Sequence, residues 1–339
     1  MFMPSVGSSI STRVVVAISD ATEVGGLLMA GDFGIGIERY RDILGRDVLD
    51  FVAKHLRENW IESGGERIHL DVFARDAGCP TIVFSHGLVG YGRLLAPYAY
   101  RLYQLGYNVI LPDLAGYGHN RGLRGHWTWD ALVENLTDAC CYARQSFEGD
   151  VFLAGASMGG SLAYRALCKG APARAIACYC LYDFGDEELA RKSSPFGSLL
   201  PLMKPLVGRL SRVLPRVRIP ISRVLHYDKL SGDPAFNELL RTDPLAGNSL
   251  SLRAISEMLN AALPIEFEEF DLAPILILQP GADEMTPPRF SRESYDRLHT
   301  SRKKYVEVEG RGHWILDEEG IGIVCVEMDR WFVAARNAE

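Results

Sequence analysis

Ser157 lies in the run Gly155-Ala156-Ser157-Met158-Gly159-Gly160, between the apolar stretch VFLA and the helical pattern SLAYRALCK. A serine hydroxyl is a poor nucleophile at neutral pH; it needs a base to take its proton and a carboxylate to orient that base. Strand, tight turn and helix form the setting that presents such a serine, with glycines where neighbouring side chains would collide. The G-x-S-x-G spacing also arises by chance, so the setting and the partner residues carry the reading. They predict covalent acyl transfer with Ser157 as nucleophile.

Chain order supplies the partners. After PILILQPG come Ala282 and Asp283, and after YVEVEGRG comes His313. Both stand just past strand-like runs, and the order is serine, acid, histidine. Asp283 is read as the acid ahead of its neighbour Glu284, and ahead of Asp183 and Asp186, which follow another strand-like run. His313 is read as the base. The remaining histidines fit packed or surface roles: His86 beside Gly87, His119 and His126 flanking a glycine-rich loop, and His55, His69, His226 and His299 in or beside regular elements. The oxyanion formed on attack needs donors. Two backbone amides are the candidates: Met158, directly after the nucleophile, and Leu88, in the loop His86-Gly87-Leu88.

These residues need a scaffold that brings strand ends together. Residues 36–60 space Ile37, Tyr40, Leu44, Val48, Phe51, Val52 and Leu56 as one amphipathic helix. Strand-like runs follow at IHLDVF, TIVFSHG, YNVILPD, 151–154, 175–182, 275–279 and 305–308, with helical stretches at 93–105 and 130–146. This alternation predicts an α/β fold: a mostly parallel central sheet with helices on both faces. Ligands of such sheets sit beyond the carboxyl ends of the strands, where Ser157, Asp283 and His313 fall. Residues 63–183 and 264–339 are expected to form the core, 1–62 an N-terminal extension carrying the amphipathic helix, and 184–263 a helical cap inserted between strands 6 and 7. The cap segment is too long for a connecting loop. The N-terminal helix has three open roles: closing a homodimer, leaning on the cap, or covering the sheet.

Taken together, the residues resemble the α/β-hydrolase superfamily. More narrowly, they are similar to its monoacylglycerol lipase and lysophospholipase branch, the hydrolase 4 or serine aminopeptidase-like group. The narrower likeness rests on PDLAGYGHNRGLRGH, residues 112–126, which resembles that branch's D-x-x-G-H-G-x-S-x-G-x-R-G-H segment through Asp113, Gly116, Gly118, Gly122, Arg124, Gly125 and His126. DPLAGNSLSLRAISEMLNA, residues 243–261, and GRGHWILDE around His313 add to it. Tyr117 and Asn120 stand where the branch carries histidine and serine, and HGLVGYG lacks the acidic residue and second histidine that often follow His-Gly there. The resemblance covers residues 67–333. It implies the α/β-hydrolase fold, the triad Ser157, Asp283 and His313, and an ester substrate, with monoglyceride specificity left open by the departures.

Composition excludes several other classes. The chain has 339 residues, 47% of them apolar, enough for a large core without disulfide or metal. Seven cysteines, an odd number, show no paired metal-ligand spacing and read as reduced residues of a cytoplasmic protein. Cys178 and Cys180, two apart in an apolar run, are expected on one face of a strand, buried rather than ligating. No cofactor and no metal are expected. A formal net charge of -7 and a pI near 5.7 disfavour nucleic acid as a partner. The apolar run Val14 to Ile18 ends at Asp20, too short for a signal-peptide core, and no run approaches the ~20 apolar residues of a spanning helix.

In the cap, residues 198–214 place Leu199, Leu202, Met203, Leu206, Leu210 and Val213 on one helical face and Lys204, Arg209 and Arg212 on the other, with Pro201, Pro205 and Pro215 as interruptions. From Arg191 to Arg223 there are basic residues and no acidic ones. Two readings stand: a helix that packs its apolar face on the core, or a basic amphipathic lid that rests on an anionic membrane or admits an acyl chain. For the whole chain three functions stay open. They are ester hydrolysis through an acyl-enzyme on Ser157; cleavage of amides, thioesters or carbon-carbon bonds, or acyl transfer, on the same triad; and a non-enzymatic receptor that keeps the pocket.

Overall fold

The computed structural model describes residues 37–338 except 189–190, 192–196 and 224. The expectations about residues 1–36 lie outside the described residues. Eight strands form the main sheet: β1 Leu56–Ser63, β2 Glu66–Phe73, β3 Thr81–Ser85, β4 Asn108–Pro112, β5 Val151–Ala156, β6 Ile176–Tyr179, β9 Ile275–Pro280 and β10 Lys303–Val308. Their order is β1-β2-β4-β3-β5-β6-β9-β10. The β1–β2 and β2–β4 pairs are antiparallel and every other pair is parallel.

The parallel strands are apolar on both faces, and their residues alternate between two cores. Phe152 and Ala154 of β5 join one core and Leu153 the other; Leu276 and Leu278 of β9 alternate likewise with Ile275 and Ile277. This is the pattern of a sheet covered on both sides. One cover consists of α1 Arg46–His55, α2 Ala96–Gln104 and α9 Glu318–Asn337; the other consists of α3 Trp129–Ser146 and α4 Met158–Cys168. Phe332 of α9 stacks on Phe152, with ring centroids 4.4 Å apart. Thr128 caps α3 by accepting from the Ala131 amide.

Three local expectations need correction. The helical spacing of the sequence continues through Trp60, but α1 ends at His55 and Leu56–Ser63 is the edge strand β1, in register with all of β2. Leu56 fits the last turn of a helix and the first inward position of a strand equally well, so periodicity alone could not end the helix. The β6 run stops at Tyr179 rather than Tyr182, because Cys180 takes a left-handed φ of 64°. As a result Cys178 and Cys180 point into different cores instead of sharing a face, although both are buried.

α1 covers the sheet. Phe51 stacks on Phe73 at 4.8 Å and packs on Tyr100 and Tyr103. The short turn before it, Ile37–Tyr40, leans on the inserted segment: the Tyr40 hydroxyl donates to Asp243 at 2.7 Å.

Between β6 and β9 the chain leaves the sheet and builds α5 Leu200–Val213, α6 Pro234–Arg241 and α7 Leu252–Leu259. It is not wholly helical: β7 Arg218–Pro220 pairs antiparallel with β8 Ser249–Ser251. Pro201 stands in the first turn of α5 and the helix runs through Pro205, so neither proline breaks it. Past β9, α8 Pro288–Arg297 leads to β10. Among the described residues no helix is long and apolar enough to cross a membrane.

Candidate active site

The turn between β5 and α4 positions Ser157. Its φ of 56° and ψ of −121° lie where side chains rarely go. Glycine makes the turn possible: a Cβ on Gly159 would stand 2.6 Å from the Ser85 oxygen and 2.7 Å from that of His86. The Ser157 amide donates to the Tyr179 carbonyl at 2.7 Å, which ties the turn to β6.

Ser157, Asp283 and His313, separated by up to 156 positions, meet here. His313 Nε2 stands 2.9 Å from Ser157 Oγ, and His313 Nδ1 stands 2.7 Å from Asp283 Oδ2. Asp283 Oδ1 accepts from the amides of Met285 and Thr286, both at 2.8 Å. Burial opposes ionisation of Asp283. The charge and hydrogen bond of His313, with the Thr286 donors, outweigh it and hold the carboxyl below its ordinary value. Asp283 is therefore an anion at neutral pH. Tyr182 lines the same space as Ser157, and burial pushes its phenol pKa up, so it stays neutral.

The other acids stand apart: Glu284 is exposed and pairs with Lys229 at 3.4 Å, and Asp183 accepts from the Gly185 amide. His126 contacts Ser251 in β8 of the inserted segment.

Leu88 follows β3 in a loop pressed against the nucleophile. A Cβ on Gly87 would stand 3.0 Å from Ser157 Cβ and 3.5 Å from its Oγ, so only glycine lets this loop approach. Met158 opens α4, whose first amides have no intrahelical partner. Leu88 and Met158 both line the same cavity as Ser157.

His86 holds the loop. Its Nδ1 contacts the Gly87 carbonyl at 2.8 Å, and its Nε2 accepts from the Leu114 amide at 3.2 Å. Accepting at Nε2 requires a neutral ring, and burial lowers its pKa accordingly.

Beneath this loop lies a charge cluster dispersed in sequence. Arg93 grips Asp71 at 2.6 and 2.9 Å and Glu58 at 2.5 Å. His69 Nδ1 donates to Asp113 at 2.9 Å, and its Nε2 makes ionic contacts with Glu58 at 3.3 Å and Asp71 at 3.5 Å. Asp113 also accepts from the Gly92 and His119 amides. Asn120, in the glycine-rich segment, accepts from the His69 amide and donates to the carbonyls of Asp113 and Leu114. Tyr117 accepts from Trp127 Nε1 at 2.9 Å and packs edge-on to His86. The two departures in that segment are thus built into the support of the loop.

Above Ser157 opens a cavity of about 330 Å³. Its walls come from both layers: Leu95, Tyr98 and Tyr179 from the sheet side, Met203, Val207 and Ile255 from the segment inserted between β6 and β9. Among the described residues that line it none is a carboxylate, and the one arginine, Arg223, is exposed. Residues 198–214 do not turn a single apolar face to the core. Met203 and Val207 face the cavity, while Leu202, Leu206, Leu210 and Val213 are exposed, Leu202 by 76% and Val213 by 77%.

Fold and site together define an α/β-hydrolase. Residues 78–320 match the Hydrolase_4 family, serine aminopeptidase, S33, and the chain belongs to that family. A Schizosaccharomyces pombe protein provisionally assigned as a monoglyceride lipase is 27% identical over 255 residues, 70% of this chain and 63% of its own length. The chain thus spans under two thirds of that relative. The Bacillus subtilis phospholipase YtpA is 25% identical over 221 residues, 63% of this chain and 79% of its own. Among solved structures, the monoacylglycerol lipase of Paleococcus ferrophilus shares the fold with a TM-score of 0.63 at 23% identity, covering 79% of this chain and 99% of the other. A soluble variant of the Saccharomyces cerevisiae monoglyceride lipase gives a TM-score of 0.65 at 17% identity, covering 83% and 95%.

Proposed function

We propose that the chain hydrolyses carboxylic esters of a single acyl chain, monoacylglycerol-like or lysophospholipid-like, through an acyl-enzyme on Ser157. The observation that carries this reading is the unbroken relay Ser157–His313–Asp283 at the floor of an apolar cavity. Ser157 Oγ attacks the acyl carbon as His313 Nε2 takes its proton, and the carbonyl electrons move onto the oxygen. The Leu88 and Met158 amides donate to that oxyanion. Collapse expels the alkoxide, which takes the proton from His313; water, deprotonated by the same nitrogen, then releases the acid. Asp283 stays ionised throughout and steadies the imidazolium.

An ester is favoured over a peptide with a free amino terminus because such an amine needs a carboxylate, and none lines the cavity among the described residues. The apolar walls suit an acyl chain. A panel of p-nitrophenyl esters from acetate to palmitate tests this. The reading expects kcat/KM to rise with chain length to an optimum at eight carbons or more; activity confined to acetate would sink it.

The outer face of α5 extends the reading to a partner. Its exposed leucines and Val213 are flanked by Lys204, Arg209, Arg212 and Arg216, which no carboxylate engages among the described residues. Apolar side chains ringed by unpaired cations suit an anionic lipid surface, whereas a second copy would set like charges against each other. Co-sedimentation with vesicles of phosphatidylcholine and phosphatidylglycerol should exceed that with phosphatidylcholine alone and fall for Leu202→Glu. Equal sedimentation with both, or a Leu202-dependent dimer without vesicle binding, would reject it.

A further inference from the structure

We propose that the Thr286 hydroxyl is a positioning group for the triad, holding the Asp283 carboxylate and the Nδ1 edge of His313 in register. The inference rests on the catalytic reading of Ser157, Asp283 and His313 given above. Thr286 Oγ1 donates to Asp283 Oδ2 at 2.7 Å, the same oxygen that meets His313 Nδ1, and itself stands 3.1 Å from that nitrogen. The three atoms form a closed triangle. The Nδ1–H of His313 thereby has two acceptors, the carboxylate and the hydroxyl, and loses little when the imidazole tilts between Ser157 and a leaving group.

Other contacts fix the threonine itself. It is buried, its carbonyl accepts from Gln279 Nε2 at 3.2 Å, and Pro287 follows it at the start of α8. Residues before proline are confined to extended backbone, so the hydroxyl is held where the carboxylate needs it. Its amide and hydroxyl take the two oxygens of Asp283 separately, which sets the rotation of the carboxylate plane. Because Thr286 also lines the acyl cavity, it screens the Asp283–His313 contact from the space the substrate enters. An imidazole held by one carboxylate oxygen alone could swing; with the hydroxyl present the tautomer and the ring plane are both specified.

The test compares Thr286→Val, which keeps shape and backbone amide but removes the hydroxyl, with Thr286→Ser, which keeps the hydroxyl. On p-nitrophenyl octanoate, the valine protein should lose about 10- to 100-fold in kcat with KM within twofold, while the serine protein stays within about threefold of wild type. Proton NMR adds a readout that packing alone would not move. The downfield Nδ1 proton of His313 should shift in the valine protein, where Asp283 takes the whole bond, and stay in place in the serine protein. The acid limb of kcat/KM, which belongs to the coupled pair, should move in the valine protein only. Thr286→Ala gives the same comparison if the valine protein melts early. Unchanged kcat in the variants that lack the hydroxyl, or serine and valine proteins falling together, would overturn the proposal. Wild-type protein inert on every ester would fail the catalytic reading instead, and the NMR comparison would still decide the role of Thr286.

Discussion

A Cβ on Gly155 would stand 1.9 Å from the carbonyl oxygen of Gly159, so the two ends of the nucleophile turn touch backbone to backbone. No side chain can yield there. Gly155→Ala is expected to lower the melting temperature by several degrees and to remove most ester hydrolysis, because the turn must open to admit the methyl. Paired melting curves and kcat measurements check it; an alanine protein with wild-type values in both would show that the contact is dispensable.

Removing either partner of Ser157 should strike kcat rather than binding. His313→Gln and Asp283→Asn are each expected to cost about 10³- to 10⁴-fold in kcat with small changes in KM, and the double variant little more than the singles. Additive losses would mean that the two residues do not act as a unit.

Cavity shape should set chain length. Val207 projects from α5 into the space above Ser157, and Val207→Trp is expected to cut kcat/KM for dodecanoate at least tenfold while leaving butyrate within twofold. A uniform loss across the ester panel would locate the acyl chain elsewhere.

The cluster beneath the loop gives stability a two-sided dependence on pH. Burial opposes the charge on His69, but the hydrogen bond to Asp113 and the ionic contact with Glu58 prevail and raise its pKa from 6.5 to about 10. Its contribution is complete below 6.5 and is lost as pH rises through 10. The His69 contact, helped by Arg93, lowers the Glu58 pKa from 4.5 to about 2, so that contribution is present above 4.5 and lost as pH falls toward 2. Melting temperature should therefore peak between these limits and decline on both sides. In His69→Asn the alkaline decline should flatten; an identical profile would remove His69 from the account.

Sequence signals were sharpest where one short segment holds both an element end and a reactive residue. Ser157, Asp283 and His313 each close a strand, and their types narrow the choice. Thr286 was overlooked although it lies three residues from Asp283, because a threonine before Pro287 reads as a turn residue and its hydroxyl gains meaning only against His313. The Glu58, His69, Asp71, Arg93 and Asp113 cluster was unreadable for a different reason: three strands and a short helical turn bring it together. β1 was absorbed into a helix because edge strands are half polar and Leu56 serves both periods. In α5 the apolar residues were found but their division was not, since amphipathic spacing cannot tell which leucines meet a cavity and which meet solvent.

The central claim is that Ser157 carries the acyl group. The direct measurement is intact mass of wild type and Ser157→Ala after mixing with p-nitrophenyl octanoate and quenching in acid, alongside steady-state turnover. Wild type should gain one octanoyl group, mapped to Ser157, during a burst of p-nitrophenol, and Ser157→Ala should show neither adduct nor turnover. Retained turnover in Ser157→Ala, or an octanoyl group on another residue of wild type, would contradict the account.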